Sequence, residues 1–145
     1  MHTMRFMIII KSDEKTDAGR VPSEAEFTAM AQFNQEMADA GILVGAEGLL
    51  DSGKGARVQM SGGKTTITDG PFTESKELVA GFWMIKVDSL EEAIDWASRV
   101  PSPPEIETNL EVRQVVDAAE HYAETYTEEL KEGEDKLRDQ IAENQ

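Results

Sequence analysis

The sequence predicts an α+β fold in which two helices pack on an antiparallel sheet. Strand-like and helix-like segments follow one another in the order β-α-β, β-hairpin, β-α-β over residues 4–116. Each helix-like segment opens with a Ser that is followed three residues later by a Glu, the pattern of a capping box. The first and fifth strands carry apolar side chains at successive positions, so both of their faces are apolar. This order of elements is that of a ferredoxin-like fold.

The first half of the domain supplies two strands and one helix. Residues 4–11 (MRFMIIIK) predict a strand, and residues 12–21 predict a polar loop. The helix begins after Ser23, with Glu26 completing the capping box, and ends at Gly41, which suits the residue just beyond a helix C-terminus. Residues 42–51 (ILVGAEGLLD) predict the second strand.

The second half begins with a hairpin. Gly62-Gly63 is typical of a two-residue turn, and the segments on either side alternate apolar and polar side chains. The predicted elements are hairpin strands over residues 57–61 and 64–68, a fifth strand over residues 81–87, a helix capped by Ser89 and Glu92 that ends before Pro101, and a last strand over residues 110–116.

Beyond Asp117 the composition changes, which predicts a domain of residues 1–116 followed by an acidic C-terminal tail of residues 117–145. The tail holds ten acidic and three basic side chains. Its apolar stripe predicts one helix, or two pieces broken near Gly133. Because the stripe is too narrow for a core of its own, the tail docks on the domain, docks on a partner subunit, or frays. The stripe consists of Tyr122, Tyr126, Leu130, Leu137 and Ile141.

Composition restricts the classes of function. The formal net charge of −15 over 145 residues argues against binding to nucleic acids or to anionic membranes. The absence of cysteine excludes disulfides, thiolate nucleophiles and Cys-ligated metals. With no signal-peptide pattern and no apolar run of membrane-spanning length, we expect a cytoplasmic protein. The spacing of residues suits neither a metal site nor a phosphate-binding loop, so no cofactor is predicted.

The two-faced strands predict an assembly. Two helices cover only one face of a four-stranded antiparallel sheet. Met7 and Ile9 on the first strand, and Phe82 and Met84 on the fifth, would occupy the other face. We predict that a second copy of the chain covers this face in a homodimer; the alternative is that the C-terminal helix of the same chain does so.

Several motifs together resemble the YCII-related, DGPF-domain family. They are Asp69-Gly70-Pro71-Phe72, the charged residues Glu74, Lys76 and Glu77, Gly81-Phe82-Trp83, and the segments AGILVGAEGL (40–49), VDSLEEAIDWASRVP (87–101) and EVRQV (111–115). The resemblance covers residues 4–116. It implies a ferredoxin-like fold that pairs with a second subunit as a dimeric α+β barrel.

The resemblance implies little about activity. Most members of the family have no assigned reaction, and some are associated with extracytoplasmic-function sigma factors. A related enzyme branch performs dehydrochlorination, and the family prototype is proposed to use a His–Asp pair. The histidines here are His2, near the N-terminus, and His121, in the tail. A histidine base in the barrel pocket is therefore not expected.

Two carboxylates are candidate catalytic residues. Glu47 interrupts an apolar strand, and it either lies at an exposed edge or points into the cleft between sheets, where burial would suit it to acid/base chemistry. Asp69 opens the Asp-Gly-Pro-Phe turn. It either accepts a backbone N–H bond two residues further on, with Gly70 at positive φ and Phe72 anchored in the core, or lies at the mouth of a pocket.

Three further residues are candidates for substrate binding. Arg5 lies near the start of the first strand, and it either holds an anion in the pocket or is an ordinary strand-end charge. Lys76 lies in the charged stretch after the turn, where it is a solvated surface charge, pairs with Asp69 or Glu47, or holds an anion. Trp83 is a stacking platform, or else part of the core or of the dimer interface. Arg57 is either a strand-end charge or part of the pocket lining.

Two hypotheses about function follow. The first is a small-molecule-binding or regulatory accessory protein without catalysis. The second is a cofactor-independent lyase or isomerase that uses Glu47 and Asp69 for acid/base chemistry in a cleft between subunits.

Overall fold

A computed structural model of the chain describes residues 4–72 and 77–145. They fall into two compact units, with the boundary between Gln114 and Val115. The N-terminal unit is a mixed α+β unit with antiparallel sheets, which confirms the predicted class. Lys76 and His2, which the sequence singled out, lie outside the described residues.

The N-terminal unit contains one four-stranded sheet and one separate hairpin. Its elements are β1 (Met4–Lys11), α1 (Glu14–Asp17), α2 (Glu24–Asp39), β2 (Leu43–Gly48), a 3₁₀ turn (Ser52–Lys54), β3 (Ala56–Ser61), β4 (Lys64–Asp69), β5 (Val79–Val87), α3 (Leu90–Ala97) and β6 (Asn109–Gln114). The four-stranded sheet has the order β2-β5-β1-β6, with every neighbouring pair antiparallel. Among the described residues, the strands β3 and β4 pair only with each other.

The structure adds one helix that was not predicted and shortens β2, and it moves the start of β5 and the end of β6 by two residues each. Residues 14–17 form α1 inside the expected polar loop, because the Asp13 carboxylate caps that turn by accepting the Thr16 N–H at 2.8 Å. This hydrogen bond also lowers the pKa of Asp13. The strand β2 ends at Gly48 rather than at residue 51, because its partner β5 begins at Val79 and the last bond between them joins Leu49 N to Ala80 O at 2.8 Å.

Both predicted helix starts are confirmed. The Ser23 hydroxyl accepts the Glu26 N–H at 3.2 Å, and the Ser89 hydroxyl accepts the Glu92 N–H at 3.1 Å. The Glu26 carboxylate does not complete the capping box, since it accepts hydrogen bonds from the Arg20 guanidinium at 3.0 and 2.5 Å. Arg20 thereby lowers the pKa of Glu26.

The predicted end of α2 at Gly41 is also confirmed. Gly41 has φ +74°. Its N–H donates to Ala38 O at 3.0 Å, and the Ile42 N–H donates to Met37 O at 3.1 Å. These two bonds form a Schellman motif, which satisfies carbonyls that the helix end would otherwise leave unpaired.

One face of the four-stranded sheet packs against α2 and α3. Its core members are Phe6, Ile8, Trp83, Ile85 and Val87 from the sheet, with Phe33, Met37, Ala93, Ala97 and Val100 packed on them. The Trp83 ring meets the Phe33 ring edge-on, with the centroids 5.5 Å apart. Its indole N–H donates to Asn34 Oδ1 at 2.7 Å, so this buried polar group is satisfied.

The opposite face of the sheet carries no fully buried side chain among the described residues. Its centre consists of Met7, Ile9, Phe82 and Met84, which are half-buried and which we term the outer patch. Ile9 lies opposite Phe82, and Met7 lies opposite Met84. Charged side chains lie at the edges of the outer patch. On the neighbouring strands, Glu47 lies beside Phe82, Glu111 lies beside Ile9, and Arg113 lies beside Met7.

The predicted hairpin is confirmed. Gly62 and Gly63 have φ values of +57° and +77°, and Ser61 pairs with Lys64 across the turn. Positive φ at both central residues is what a type I′ turn requires. The register places the apolar side chains of the hairpin on one face, and that face is open to solvent. The apolar side chains are Val58, Met60 and Ile67, which are 58, 79 and 67 % exposed.

The C-terminal unit contains α4 (Ala118–His121) and α5 (Glu128–Glu143). The predicted break near Gly133 is wrong, because α5 runs through that glycine. The interruption precedes Thr127, whose hydroxyl caps α5 by accepting the Leu130 N–H at 3.2 Å. Tyr126 donates a hydrogen bond to the Glu134 carboxylate, which raises the pKa of Tyr126 to about 12. No helix within the described residues is both long and apolar enough to span a membrane.

Replacing one isoleucine in the four-stranded sheet and one in the hairpin tests where the stabilising core of the unit lies. Ile85 is 0 % exposed, and Ile67 on the hairpin is 67 % exposed. We expect Ile85→Ala to lower the free energy of unfolding by about 2–5 kcal/mol, because it removes buried methyl groups and leaves a cavity. The same change at Ile67 should lower it by no more than about 1 kcal/mol. Equal losses in urea unfolding would contradict this assignment of the core.

Candidate functional site

Gly48, at the end of β2, lines two cavities. The smaller has a volume of about 240 Å³ and is termed the Glu47 cavity; its lining is Ile10, Met30, Asn34, Ala46, Glu47, Gly48, Phe82 and Trp83. The larger has a volume of about 460 Å³ and is termed the hairpin-base cavity; its lining is Asp17, Gly48, Leu49, Leu50, Asp51, Ser52, Lys54, Gly55, Ala56, Arg57, Phe72, Glu77, Leu78 and Val79.

The Glu47 cavity exists because two glycines pair across the sheet. Gly48 lies opposite Gly81, which lies opposite Ile10 on β1. A Cβ at Gly48 would meet nothing within 4 Å, so this position leaves open space. A Cβ at Gly81 would lie 2.7 Å from Glu47 O, so the close approach of the two strands requires glycine there.

The polar side chains of the Glu47 cavity are Glu47 and Asn34. Glu47 is exposed, on the same sheet face as its neighbour Phe82. The Asn34 oxygen is already used by the Trp83 indole, so its amide hydrogens are what it can offer to a ligand. The lining therefore includes one acidic residue, which the register places on the outer sheet face, and one amide donor on α2 at the helix-covered face.

The hairpin-base cavity is built around Ser52. The Ser52 backbone N–H donates to Asp17 Oδ1 at 2.7 Å, and its hydroxyl donates to Asp17 Oδ2. The same hydroxyl accepts the Phe72 N–H at 2.9 Å. These bonds tie α1, the 3₁₀ turn and the Asp-Gly-Pro-Phe turn together. Since Asp17 and Ser52 are fully engaged with each other, their role is to hold the wall of the cavity.

The Asp-Gly-Pro-Phe turn is stabilised differently from the prediction. The residue two positions after Asp69 is Pro71, which has no N–H to donate, so the expected bond to the Asp69 carboxylate is wrong. The φ of Gly70 is not positive. Glycine is required there because a Cβ would lie 1.7 Å from Ser52 O. The Gly70 N–H donates to Gly55 O at 3.0 Å, and the Gly70–Pro71 peptide bond is cis.

Phe72 holds Arg57 in place rather than entering the core. Its ring is half-buried and lies outside the core cluster, so the expected core anchor is wrong. The Arg57 guanidinium carbon lies 4.1 Å from the centre of that ring, a cation–π contact. One Arg57 nitrogen lies 3.4 Å from a Glu77 carboxylate oxygen. The structure thus places Arg57 in the cavity lining, one of the two alternatives the sequence left open.

The predicted site residues are only partly brought together. Glu47 and Trp83 line the Glu47 cavity, and Trp83 does so from within the core. Asp69 is exposed at the end of β4, opposite Ala56, and lines neither cavity. Arg5 lies on the outer sheet face opposite Lys86, and it also lines neither. Lys76 is outside the described residues.

Sequence reasoning missed most of the hairpin-base cavity. The segment DSGKGAR (51–57) lacks the spacing of a phosphate-binding loop and, apart from Arg57, was not expected to line a pocket, although it supplies Asp51, Ser52, Lys54 and Arg57 to the lining. The concentration of charged residues between two predicted strands was the available signal. His121 lies on α4, where its Nδ1 is 2.9 Å from Asp117 N. Within residues 4–72 and 77–145, no three acidic, histidine or cysteine side chains gather as metal ligands do.

Two comparisons bear on identity. The family model of the YCII-related domain matches residues 4–119. An uncharacterised protein of Rhizobium meliloti (strain 1021) is 30 % identical over 96 residues, which span 65 % of this chain and 77 % of that protein. The family match includes the strands and turns that form the two cavities.

Two neighbouring glycines provide a matched test of the turn. A Cβ at Gly70 would lie 1.7 Å from Ser52 O, whereas one at Gly55 would lie 3.7 Å from the same atom. We expect Gly70→Ala to displace the turn from the 3₁₀ segment and lower the free energy of unfolding by more than about 2 kcal/mol. Gly55→Ala should change it by less than about 1 kcal/mol. Equal melting temperatures for the two variants would contradict the close packing of the turn on Ser52.

Proposed function

The chain belongs to the YCII-related domain family, and from this premise we propose that it is a homodimeric small-molecule-binding protein, an accessory or regulatory component rather than an enzyme. The observation that carries the proposal is the hairpin-base cavity of about 460 Å³, which holds charged side chains that the fold does not use. Cavities of roughly 300–1,000 Å³ are the usual size of small-molecule sites.

The proposal includes a ferredoxin-like arrangement of the N-terminal domain. The order β2-β5-β1-β6 supports it, because each β-α-β segment then skips one strand of the sheet. The helix α2 connects β1 to β2 across β5, and α3 connects β5 to β6 across β1. The separate hairpin is an insertion between the two halves. In this proposal, residues 117–145 are an acidic, helical C-terminal tail.

The outer patch supports the homodimer. Its side chains are apolar, and α2 and α3 pack on the opposite face. Flanking charges of both signs, Glu47 and Glu111 beside Arg113, allow a two-fold pairing to place unlike charges opposite one another. Pairing two such faces gives the dimeric α+β barrel that the family resemblance implies.

Binding is preferred to catalysis because the two candidate carboxylates lie on different sheets. Glu47 is on β2 of the four-stranded sheet, and Asp69 is at the end of the hairpin. Of the two, only Glu47 lines a cavity described above. Acid/base chemistry on one substrate requires both groups within hydrogen-bond reach of it.

A charge placed in the outer patch tests the homodimer. We expect the wild-type chain to sediment as a dimer at micromolar concentration and Ile9→Glu to sediment as a monomer, because an unpaired buried carboxylate is costly at an interface. Ile67→Glu, on the exposed hairpin face, is the matched control and should remain dimeric. A monomeric wild type, or a dimeric Ile9→Glu variant with an intact circular dichroism spectrum, would contradict the assembly.

A fragment screen tests the binding role. We expect at least one compound from a set of anionic, cationic, zwitterionic and neutral small molecules to shift the amide resonances of residues 49–57 saturably in NMR spectra. Those amides surround the hairpin-base cavity, whereas the amides of residues 62–64 at the hairpin turn serve as an internal control. If no compound shifts the cavity amides at millimolar concentration, the binding role is wrong.

A further inference from the structure

The hairpin-base cavity carries two basic and two acidic side chains that the fold does not require. Asp51 begins the 3₁₀ turn without forming a capping hydrogen bond. Lys54 ends the same turn, where its backbone N–H donates to Asp51 O at 3.0 Å, and its side chain has no hydrogen bond or ion pair with any described residue. Arg57 and Glu77 touch each other at 3.4 Å, and their side chains are 39 and 63 % exposed. Such a partly exposed pair contributes little to stability and leaves most of its donors and acceptors unused.

The position of the basic groups is fixed by the turn. Arg57 lies on the Phe72 ring, and the Phe72 backbone is held by Ser52. Because Ser52 is in turn held by Asp17, the guanidinium rests on a chain of contacts that exists before any ligand arrives. A guanidinium that is held in this way presents its remaining N–H groups in the planar geometry that suits a carboxylate.

Apolar side chains complete the lining. Leu49, Leu50 and Val79 are 52, 80 and 37 % exposed, although they stand beside the charged groups. An apolar group of a ligand would remove part of this surface from water. The cavity therefore offers three kinds of complementarity, to a negative group, to a positive group and to an aliphatic group.

We propose that the hairpin-base cavity binds a small zwitterion that carries an aliphatic group, of the class of free aliphatic amino acids. The ligand carboxylate binds Arg57 and Lys54, and the ligand ammonium binds Asp51 and Glu77. A ligand with charges of one sign leaves either the acids or the bases without a counter-charge, which lowers its affinity. The inference rests on the proposed function, because it names the ligand class of the same cavity.

Three probes of similar shape separate the contributions. L-Leucine carries both charges, L-leucinamide lacks the carboxylate, and 4-methylpentanoate lacks the ammonium group. We expect L-leucine to shift the amide resonances of residues 49–57 saturably and each analogue to bind about tenfold more weakly or worse, since each loses a set of charge-assisted hydrogen bonds. Titration calorimetry of the full-length chain gives the dissociation constants.

Variants assign the two ends of the ligand. Lys54→Met should weaken L-leucine and leave L-leucinamide unchanged, and Asp51→Asn should weaken L-leucine and leave 4-methylpentanoate unchanged. Arg57→Lys keeps the charge and loses the planar fork, so it should weaken L-leucine while preserving the melting temperature. Lys64→Met, at the hairpin turn and outside the cavity lining, is the control that should bind as the wild type does.

The ligand class is overturned if either analogue binds as tightly as L-leucine, or if L-leucine shifts no cavity resonance. In both cases the fragment screen decides the broader proposal by itself. If a different compound shifts the amide resonances of residues 49–57, the proposed binding role stands and only the ligand class is wrong. If no compound of the screen shifts them, both the binding role and the ligand class are wrong.

Discussion

Two helices on one side of a four-stranded sheet are the constraint on which the rest of this unit depends. They bury Ile8 and Ile85 completely, and these two side chains belong to the core cluster of the described residues. The same strands carry apolar side chains on the other face, where Ile9 and Phe82 are only half-buried. Because the sheet is apolar on both faces and its two helices cover only one of them, part of its apolar surface is left without a helix packed on it. This imbalance is the observation on which the proposed homodimer rests.

Glycine shapes both cavities, in opposite ways. At Gly48 the missing side chain leaves space, since a Cβ there would meet no atom within 4 Å. At Gly70 the missing side chain permits contact, since a Cβ there would lie 1.7 Å from Ser52 O. The first opens the Glu47 cavity beneath α2, and the second lets the hairpin base close against the 3₁₀ turn. Both effects are produced by spatial fit, and neither requires positive φ.

Local signals in the sequence were sufficient for the elements. Periodicity identified the strands, the Ser–Glu spacing identified the starts of α2 and α3, and Gly62-Gly63 fixed the hairpin. These features depend on residues close together in the chain, so they can be read without the fold. The short helix α1 was missed although its Asp13 cap is equally local, because four residues give no periodicity. The continuity of α5 through Gly133 was not predicted, because the many acidic residues after Thr127 leave only a narrow apolar stripe as a helix signal.

The site was harder to predict because it is built from long-range contacts. Asp17 and Ser52 are 35 residues apart, and Ser52 and Phe72 are 20 residues apart. The spacing of these residues in the sequence does not predict that they are in contact. Glu47, which lines the smaller cavity, was singled out because a carboxylate in an apolar strand is unusual by itself. Asp69 was favoured for its place in a recognisable motif, yet the partner that the motif packs against is Ser52, and the side chain of Asp69 faces solvent.

The hairpin that projects from the sheet also bears on how this protein behaves in concentrated solution. Val58, Met60 and Ile67 form an exposed apolar patch on the hairpin. Exposed apolar strands of this kind tend to associate between molecules. At neutral pH the formal charge of −15 keeps the molecules apart by mutual repulsion. That protection vanishes near the isoelectric point of about 4.4. Mild acidification should therefore cloud the solution before it unfolds the domain, and neutral, low-salt buffers are the conditions under which it stays dispersed.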